Sequence, residues 1–283
     1  MVNYVSDDRI LIAIPHMRIY YGAKRKNLDK VAQLAHSAKE MGSPILLLPS
    51  MFYIGPVLDR IVRSRISRKS ATETIPGTVT NYLSVIASRY GIIIVTGPII
   101  ERAGPKLYMT SLVIAPFKGV ISRYRKIFLG KNDENISPGH EILHIELGIR
   151  MGLLIEEDVL IPEIAHVLKL MGASMLIVFQ RINPGFLKYR HVLISRAIEN
   201  SAFVIAVGGI LNFNGEDVVE IPSMLIDDEG NIVEEIKGFE ERVYVVEASK
   251  ERFSKLASKG KADLQLLKNL YKYLKLIMKR SFI

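Results

Sequence analysis

The reactive chemistry of this 283-residue chain must come from carboxylates, amines and hydroxyls, because the sequence contains no cysteine. A thiol nucleophile, disulfide bonds and thiolate metal ligands are therefore excluded. Ser50 and Glu156 each stand where a short apolar run ends, and Lys126 follows the run Val120–Arg125. A carboxylate exchanges protons, an ammonium group stabilises developing negative charge, and a serine attacks when a base activates it. The chain contains serines, lysines and carboxylates that could fill these roles.

Composition places the chain among ordinary globular proteins. Hydrophobic residues make up 49% and charged residues 24%, which is enough apolar material for a sizeable core. No transmembrane helix is predicted, since no apolar run reaches about eighteen residues. The polar start, Met1 to Asp8, lacks the pattern of a signal peptide, and a cytoplasmic location is expected. The absence of cysteine, with abundant isoleucine, lysine and glutamate, is compatible with a thermophilic source.

The positive charge is concentrated at the C-terminus. The whole sequence carries a formal net charge of +9. Residues 250–283 contain ten Lys and Arg against two Asp and Glu, so the rest of the chain is close to neutral at about +1. The net charge is therefore a property of a basic arm and not of the body.

The basic arm contains the pattern of an amphipathic helix. Over Ala262–Lys279 the leucines fall on one side and the lysines largely on the other. Such a broad apolar stripe favours packing on the body or on a second subunit. An anionic membrane surface and nonspecific phosphate contact are the alternatives. Specific nucleic-acid binding is not predicted, because no aromatic platform accompanies the lysines.

Short apolar runs alternate with helical patterns along residues 1–249. The predicted strands are Arg9–Pro15, Pro44–Leu48, Gly91–Gly97, Leu112–Ala115, Val120–Arg125, Met151–Glu156, Met175–Phe179, Ala202–Val207, Ser223–Ile226, Ile232–Ile236 and Arg242–Glu247. The predicted helices are Asn27–Met41, Thr80–Tyr90, Pro162–Met171 and Phe186–Asn200. Alternating strands and helices predict an α/β fold, and the hairpins predict mixed sheets. No linker divides the series, so residues 1–249 are predicted to form one domain, followed by the basic arm 250–283.

Five motifs follow one another along the predicted domain. They are Leu46–Gly55, Tyr124–Leu129, Glu134–Gly139, Glu156–Asp158 with Pro162–Glu163 and Gly172–Ala173, and Arg196–Asn200. In this order they resemble the motifs of the nitrilase, or carbon–nitrogen hydrolase, superfamily, over roughly residues 9–248. The resemblance implies an αββα sandwich, in which two mixed sheets lie between layers of helices. It also implies a homodimer or higher homo-oligomer, assembled through helices Pro162–Met171 and Phe186–Asn200.

The catalytic residues of that superfamily carry over unevenly. The resemblance places Ser50 where the family has its base glutamate, and Glu156 where it has the nucleophilic cysteine. Lys126 corresponds to the family's lysine and Glu134 to its second glutamate. Only the electrostatic part of the family's site is then retained. The resemblance therefore implies a catalytically inactive homologue, or pseudoenzyme, whose lysine–glutamate pocket has a structural role or binds a small molecule.

Charge compensation gives a physical expectation for this pocket. A buried lysine needs a carboxylate partner, or it loses its proton. Because Ser50 brings no carboxylate, Glu156 is expected within salt-bridge distance of Lys126, with Glu134 close to both.

An active hydrolase is the alternative interpretation. Ser50 and Lys126 could form a Ser–Lys dyad, or Glu156 could activate water as a general base. Either arrangement would act on the carbon–nitrogen bond of an amide or nitrile.

No metal or cofactor site is predicted. The six histidines lack paired ligand spacing, and the nearest pair, His140 and His144, is expected in a loop and a strand. The sequence also lacks the Gly-x-Gly-x-x-Gly pattern of a dinucleotide-binding loop.

Overall fold

The computed structural model describes residues 8–57 and 71–258, together with 267–269, 271–272 and 275. The strands are β1 (Arg9–His16), β2 (Arg18–Tyr20), β3 (Ile45–Leu48), β4 (Ile93–Thr96), β5 (Ile99–Ala103), β6 (Lys106–Ala115), β7 (Gly119–Arg125), β8 (His144–Glu146), β9 (Arg150–Ile155), β10 (Met175–Phe179), β11 (Phe203–Val207), β12 (Gly209–Phe213), β13 (Glu216–Ile221), β14 (Ser223–Ile226), β15 (Ile232–Ile236) and β16 (Arg242–Ser249).

Helices lie between and after these strands. The α-helices are α1 (Lys24–Glu40), α2 (Thr78–Tyr90), α3 (Pro162–Leu170), α4 (Arg190–Asn200) and α5 (Lys250–Ser258), and 3-10 helices cover Glu156–Leu160 and Pro184–Tyr189. Helix α1 shows why the long helices form where they do. Its side chains Val31, Leu34, Ala35 and Ala38 are buried, which is the spacing of one face of an α-helix.

The strands of the described residues form two mixed sheets and one small sheet. One sheet has the order β16–β1–β3–β4–β6–β5, with β7 also paired to β6, and the other has the order β15–β14–β11–β10–β9–β8. The small sheet has the order β13–β12–β2. Strands β1, β3 and β4 are parallel to one another, as are β9, β10 and β11. The outer neighbours are antiparallel, as the hairpin patterns predict.

Apolar side chains of the two mixed sheets form one buried cluster between them. The first sheet contributes Ile10, Ile12, Ile14, Ile45, Leu47, Ile93 and Val95, and the second Met151, Leu153, Ile155, Met175, Ile177, Phe179, Ile205 and Val207. Helices α1 and α2 contact the first sheet, and α3 and α4 contact the second. The predicted αββα sandwich is confirmed.

Sequence periodicity predicts most of the central elements, although it finds only the end of the longest strand, β6, and misses several short strands. The bounds of β10, β14 and β15 agree with the prediction, whereas β2, β5, β8, β12 and β13 were not predicted. Strand β2 has three residues, too few to show a period of two, and it exists because it pairs with β12. The predicted helix Phe186–Asn200 is divided into the 3-10 helix Pro184–Tyr189 and α4. The predicted strand Met151–Glu156 ends one residue early, at Ile155.

Parallel strands from the two sheets end beside one another and carry the candidate residues. Ser50 follows β3, and Glu156 follows β9 directly. In open α/β sheets, residues just beyond the carboxyl ends of parallel strands line the crevice where ligands bind. Gly97, directly after β4, packs closely against the turn that follows β3, and its N–H donates to Leu48 O at 2.7 Å. A Cβ at Gly97 would lie 2.4 Å from Pro49 O.

The first part of the basic arm is integral to the body. Phe253 and Leu256 of α5 are buried in the cluster between the sheets, and Lys169 Nζ donates to Leu256 O at 2.7 Å. The predicted helix Ala262–Lys279 lies largely outside the described residues. None of the helices within the described ranges has both the length and the apolar character needed to cross a membrane.

The predicted homo-oligomer stays a prediction. The helices expected to form its interface do present exposed apolar side chains, among them Val167 and Ile198.

Replacing Gly97 with alanine tests the close approach that shapes the turn at Ser50. Gly97→Ala should lower the free energy of unfolding by about 1–3 kcal/mol, because the new methyl group has only backbone atoms to displace. The matched control is Gly185→Ala, where φ is outside the left-handed region and the atom that a Cβ would meet, Asn183 Oδ1 at 3.1 Å, is the end of an adjustable side chain. Urea unfolding of both variants is the measurement. A loss at Gly97 no larger than the loss at Gly185 would contradict the packing argument.

Candidate functional site

Glu156 stands at a sharp change of direction. Strand β9 ends at Ile155, and the 3-10 helix begins at Glu156, whose φ of 50° lies in the left-handed region. For a residue other than glycine this conformation costs about 1–2 kcal/mol. Asp158 supports the turn, since its carboxylate accepts from Ile155 N at 3.1 Å. The turn directs the Glu156 side chain into the protein, where the residue is 1% exposed.

Asp158 also holds the segment that carries Lys126. Its carboxylate accepts from Ile127 N at 3.1 Å and from Phe128 N at 2.7 Å, and from Tyr124 Oη at 2.8 Å. On the other side, Lys126 N donates to Met109 O at 2.8 Å. The lysine is thus fixed from both directions as the chain leaves β7.

The Lys126 ammonium group is completely buried among carboxylates. Its Nζ lies 2.7 Å from Asp133 Oδ2 and 3.0 Å from Glu156 Oε2, and it also pairs with Glu157. The pairing of Lys126 with Glu156 is the one that charge compensation leads us to expect. Asp133 and Glu157 were not expected in this role.

A second cation, Arg181, enters the same group of carboxylates. Its Nη2 lies 2.7 Å from Asp133 Oδ1 and 2.6 Å from Glu156 Oε2, and its Nε lies 3.1 Å from Glu157 Oε1. We call Lys126, Asp133, Glu156, Glu157 and Arg181 the ionic cluster.

The sequence held a signal for Arg181. It lies two residues beyond the apolar run Met175–Phe179, and β10 is the parallel neighbour of β9. Side chains that follow neighbouring parallel strands share one edge of the sheet, so Arg181 and Glu156 could have been paired from topology.

The expected position of Glu134 is wrong. Glu134 is exposed, and the carboxylate of the preceding residue, Asp133, is the one that reaches Lys126. A tight turn decides this, because Asp133 N donates to Gly130 O at 3.1 Å and Gly130 N donates to Asp133 Oδ2 at 2.7 Å. A turn that directs Asp133 inward leaves the adjacent side chain on the surface.

Ser50 is bonded to Glu156 and not to Lys126. Its Oγ donates to Glu156 Oε1 at 2.8 Å, and the residue is 1% exposed. The three groups that Lys126 Nζ contacts are carboxylates. Ser50 and Lys126 therefore come together at one site, but the Ser–Lys dyad is not formed.

The pKa values of the ionic cluster follow from burial and charge. Burial lowers the pKa of Lys126, yet Glu156, Glu157 and Asp133 outweigh it and raise that pKa. Burial raises the pKa of each carboxyl group, but the two cations outweigh it at Asp133 and Glu157, whose pKa values are lowered. At Glu156, burial and the neighbouring carboxylates outweigh Arg181 and Lys126, so its pKa is raised. Three carboxylates thus face two cations, and Glu156 is the one that most readily takes a proton.

The described residues leave little space beside these groups. A cavity of ≈ 10 Å³ is lined by Ser50, Met51, Pro56, Met109, Glu156, Arg181 and Ile182. A single water needs about 10–15 Å³. In the described part of the chain, no group of three or more acidic, histidine or cysteine side chains is arranged to hold a metal ion.

Comparisons with known proteins agree with the motifs. The carbon–nitrogen hydrolase family model matches residues 11–257. The chain is 28% identical over 209 residues to a nitrilase of Pyrococcus abyssi, which covers 70% of this chain and 76% of that protein. It is 27% identical over 234 residues to the omega-amidase NIT2 of Danio rerio, covering 78% of this chain and 82% of that protein.

Solved structures share the fold. Nit3 of Saccharomyces cerevisiae, a member of branch 10 of the nitrilase superfamily, matches with a TM-score of 0.76 at 24% identity, over 89% of this chain and 94% of that chain. A mutant amidase of Nesterenkonia sp. AN1 matches with a TM-score of 0.73 at 22% identity, over 87% and 92%. That amidase carries the acetamide moiety of fluoroacetamide, added covalently at its active site cysteine. Since the family model spans nearly the whole described body, the chain belongs to the carbon–nitrogen hydrolase family.

Proposed function

We propose that this chain is a pseudoenzyme of the carbon–nitrogen hydrolase family, whose former catalytic pocket serves as a structural ionic cluster. The observation that carries the proposal is the state of Glu156, at the position that corresponds to the nucleophile. Its Oε1 accepts from Ser50, and its Oε2 is held by Lys126 and Arg181. Cysteine, which forms the adduct in the Nesterenkonia amidase, is absent from the sequence.

The volume beside Glu156 supports the same proposal. The ≈ 10 Å³ cavity is far below the roughly 300 Å³ at which small-molecule pockets begin. A substrate would have to displace the Arg181 guanidinium or the Glu156 carboxylate, each of which is paired with buried groups of opposite charge. Separating such a pair leaves an uncompensated buried charge.

A second candidate function rests on the hydrogen bond from Ser50 to Glu156. A serine that donates to a carboxylate at 2.8 Å has the geometry of a nucleophile beside a general base. In this version the chain is an active hydrolase on amides or nitriles, with Lys126 stabilising the developing charge. The raised pKa of Glu156 suits a general base, but both of its oxygens are already held by Ser50, Lys126 and Arg181, which favours the first proposal.

Assays for ammonia release separate the two functions. Pure protein incubated with a panel of amides, nitriles and carbamoyl compounds should release no ammonia above a heat-denatured sample, since no group is free to attack. An amidase with an intact cysteine serves as the positive control. Release that disappears in both Ser50→Ala and Glu156→Gln would establish the active hydrolase and overturn the pseudoenzyme.

Removing one cation tests the structural role of the ionic cluster. Arg181→Met leaves three carboxylates facing Lys126 alone and should cost about 3–5 kcal/mol of unfolding free energy. Glu156→Gln removes the surplus charge and should cost only about 1 kcal/mol, the worth of a weakened hydrogen bond. Adding Glu156→Gln to Arg181→Met should then recover part of the loss.

The control for that experiment is Arg242→Met, which breaks an exposed pair with Glu240. Unfolding in denaturant should show no measurable change for this variant, because exposed pairs are screened by water. If the losses of unfolding free energy from Arg181→Met and Glu156→Gln simply added in the double variant, the charge-balance argument would fail.

The pKa directions predict opposite pH dependences for two carboxyl groups. Asp133 has a lowered pKa in the fold, so its contribution to stability is present above its unfolded pKa of about 3.9 and is lost as the pH falls through the folded value. Glu156 has a raised pKa, so its contribution is present below about pH 4.3 and is lost as the pH rises through the folded value.

Unfolding curves from acid to neutral pH measure this difference. The difference in unfolding free energy between wild type and Asp133→Asn should widen as the pH rises from about 3 to 7. Over this range the wild-type protein gains the stabilisation of an ionised Asp133, which the asparagine variant lacks. The gap between wild type and Glu156→Gln should narrow over the same range. If the two free-energy differences changed in the same direction with pH, the opposite pKa shifts assigned to Asp133 and Glu156 would be contradicted.

A further inference from the structure

Donors from three different segments converge on the carboxylate of Glu156. Ser50 Oγ lies 2.8 Å from Oε1. Lys126 Nζ lies 3.0 Å from Oε2, and Arg181 Nη2 lies 2.6 Å from the same oxygen. A hydroxyl and two cations around one carboxylate are the groups that recognise a carboxylate ligand.

These donors are held in place by contacts that do not involve Glu156. Arg181 is held by Asp133 Oδ1 at 2.7 Å and by Glu157 Oε1 at 3.1 Å. Lys126 is held by Asp133 and Glu157, and by the backbone bonds that Asp158 makes to the next two residues. The donor arrangement would therefore persist if the Glu156 side chain were removed.

The turn after β3 positions the third donor in the same independent way. Met51 N, next to Ser50, donates to Pro98 O at 3.0 Å. Ser50 is thus oriented by the loop that follows β4.

The wall beside the Glu156 carboxylate is apolar. Met51, Pro56, Met109 and Ile182 line the small cavity there. Such a wall accepts a short hydrocarbon stem and no second charged group, because burying an unpaired charge is costly. The backbone at Glu156 has a φ of 50°. Placing this carboxylate in the site therefore requires a strained backbone conformation.

We infer that Ser50, Lys126 and Arg181 form a receptor for a short aliphatic carboxylate, and that Glu156 occupies this receptor as a tethered ligand. The inference rests on the proposed function in one respect, namely that the pocket binds without making or breaking a covalent bond. Tethering gives Glu156 a high effective concentration at the site. External carboxylates are therefore excluded from the wild-type protein, and the site becomes available when the side chain is shortened.

Size-matched replacement of the missing atoms tests the inference. Glu156→Ala removes one CH₂ group and the carboxylate, and acetate has the size of the atoms removed. Glu156→Gly removes one further carbon, and propionate has the size of that larger gap. About 100 mM sodium acetate should raise the melting temperature of Glu156→Ala by about 2–4 °C above the same concentration of sodium chloride. Propionate should be the more effective ligand for Glu156→Gly.

Matched controls separate binding from general salt effects. In wild type and in Glu156→Gln the side chain at position 156 fills the receptor. Their melting temperatures should therefore be the same in acetate as in chloride. Acetamide, which has the shape of acetate without its charge, should bind Glu156→Ala about fivefold more weakly than acetate, in line with the cost of about 1 kcal/mol expected for Glu156→Gln. Adding Ser50→Ala to Glu156→Ala should weaken acetate binding about fivefold, the worth of one hydrogen bond.

Several results would overturn the inference. One is an equal rise in melting temperature of Glu156→Ala with acetate and with chloride. Another is an equal rise with acetate in Glu156→Gln and in Glu156→Ala. The third is a Glu156→Gly variant that propionate stabilises no more than acetate. If Glu156→Ala does not fold, the Glu156→Gly variant answers the question, because glycine tolerates the left-handed φ at this position. Refolding yield in propionate against chloride is then the readout.

The proposed function and the receptor fail separately. Ammonia release by wild type would overturn the pseudoenzyme and leave acetate binding in place. If acetate and propionate do not stabilise the shortened variants, the receptor is overturned, and the proposed lack of turnover is unaffected.

Discussion

Burial of the ionic cluster is the constraint on which the centre of this protein depends. Lys126 leaves the end of β7 in one sheet, whereas Glu156, Glu157 and Arg181 follow β9 and β10 in the other. Each charge has been removed from water, so each depends on its partners across the interface between the sheets. The cluster therefore ties the two sheets together where Lys126 leaves β7 and Glu156 and Arg181 follow β9 and β10.

The same constraint explains why the described residues leave so small a cavity beside Glu156. A family member that uses a thiol needs room for a substrate beside its nucleophile, but here a longer carboxylate side chain points into that space. Arg181 fills what is left, and the surplus of one carboxylate is relieved at Glu156, where burial raises the pKa. Packing and charge balance thus favour a filled pocket, which is the physical basis of the proposed loss of turnover.

The fold does not depend on the ionic cluster alone, because extensive apolar cores surround it. The alternating side chains of β1, β3, β9 and β10 form the cluster between the sheets, and the chain superimposes on Nit3 with a TM-score of 0.76 at 24% identity. Asp158 contributes to this scaffold, since its carboxylate accepts hydrogen bonds from the backbone on both sides of the site. A scaffold of this kind can keep its geometry while the chemistry of its pocket changes.

The sequence by itself determined the α/β class, the main strands and the absence of a thiol. Apolar runs such as Met175–Phe179 are buried on both faces, and this pattern is visible without a structure. The ordered motifs led to the αββα sandwich, and Ser50, Lys126 and Glu156 do meet at one site.

Only the tertiary structure decided how those residues are paired. Glu134 and Asp133 are neighbours with the same charge, and the turn at Gly130 selects Asp133. Arg181 joins the cluster because β10 lies beside β9, a contact between distant parts of the chain. Short strands such as β2 depend on their partners in the same way. Local patterns report burial and periodicity, whereas the choice of ion-pair partner depends on distances that exist only after the sheets have packed.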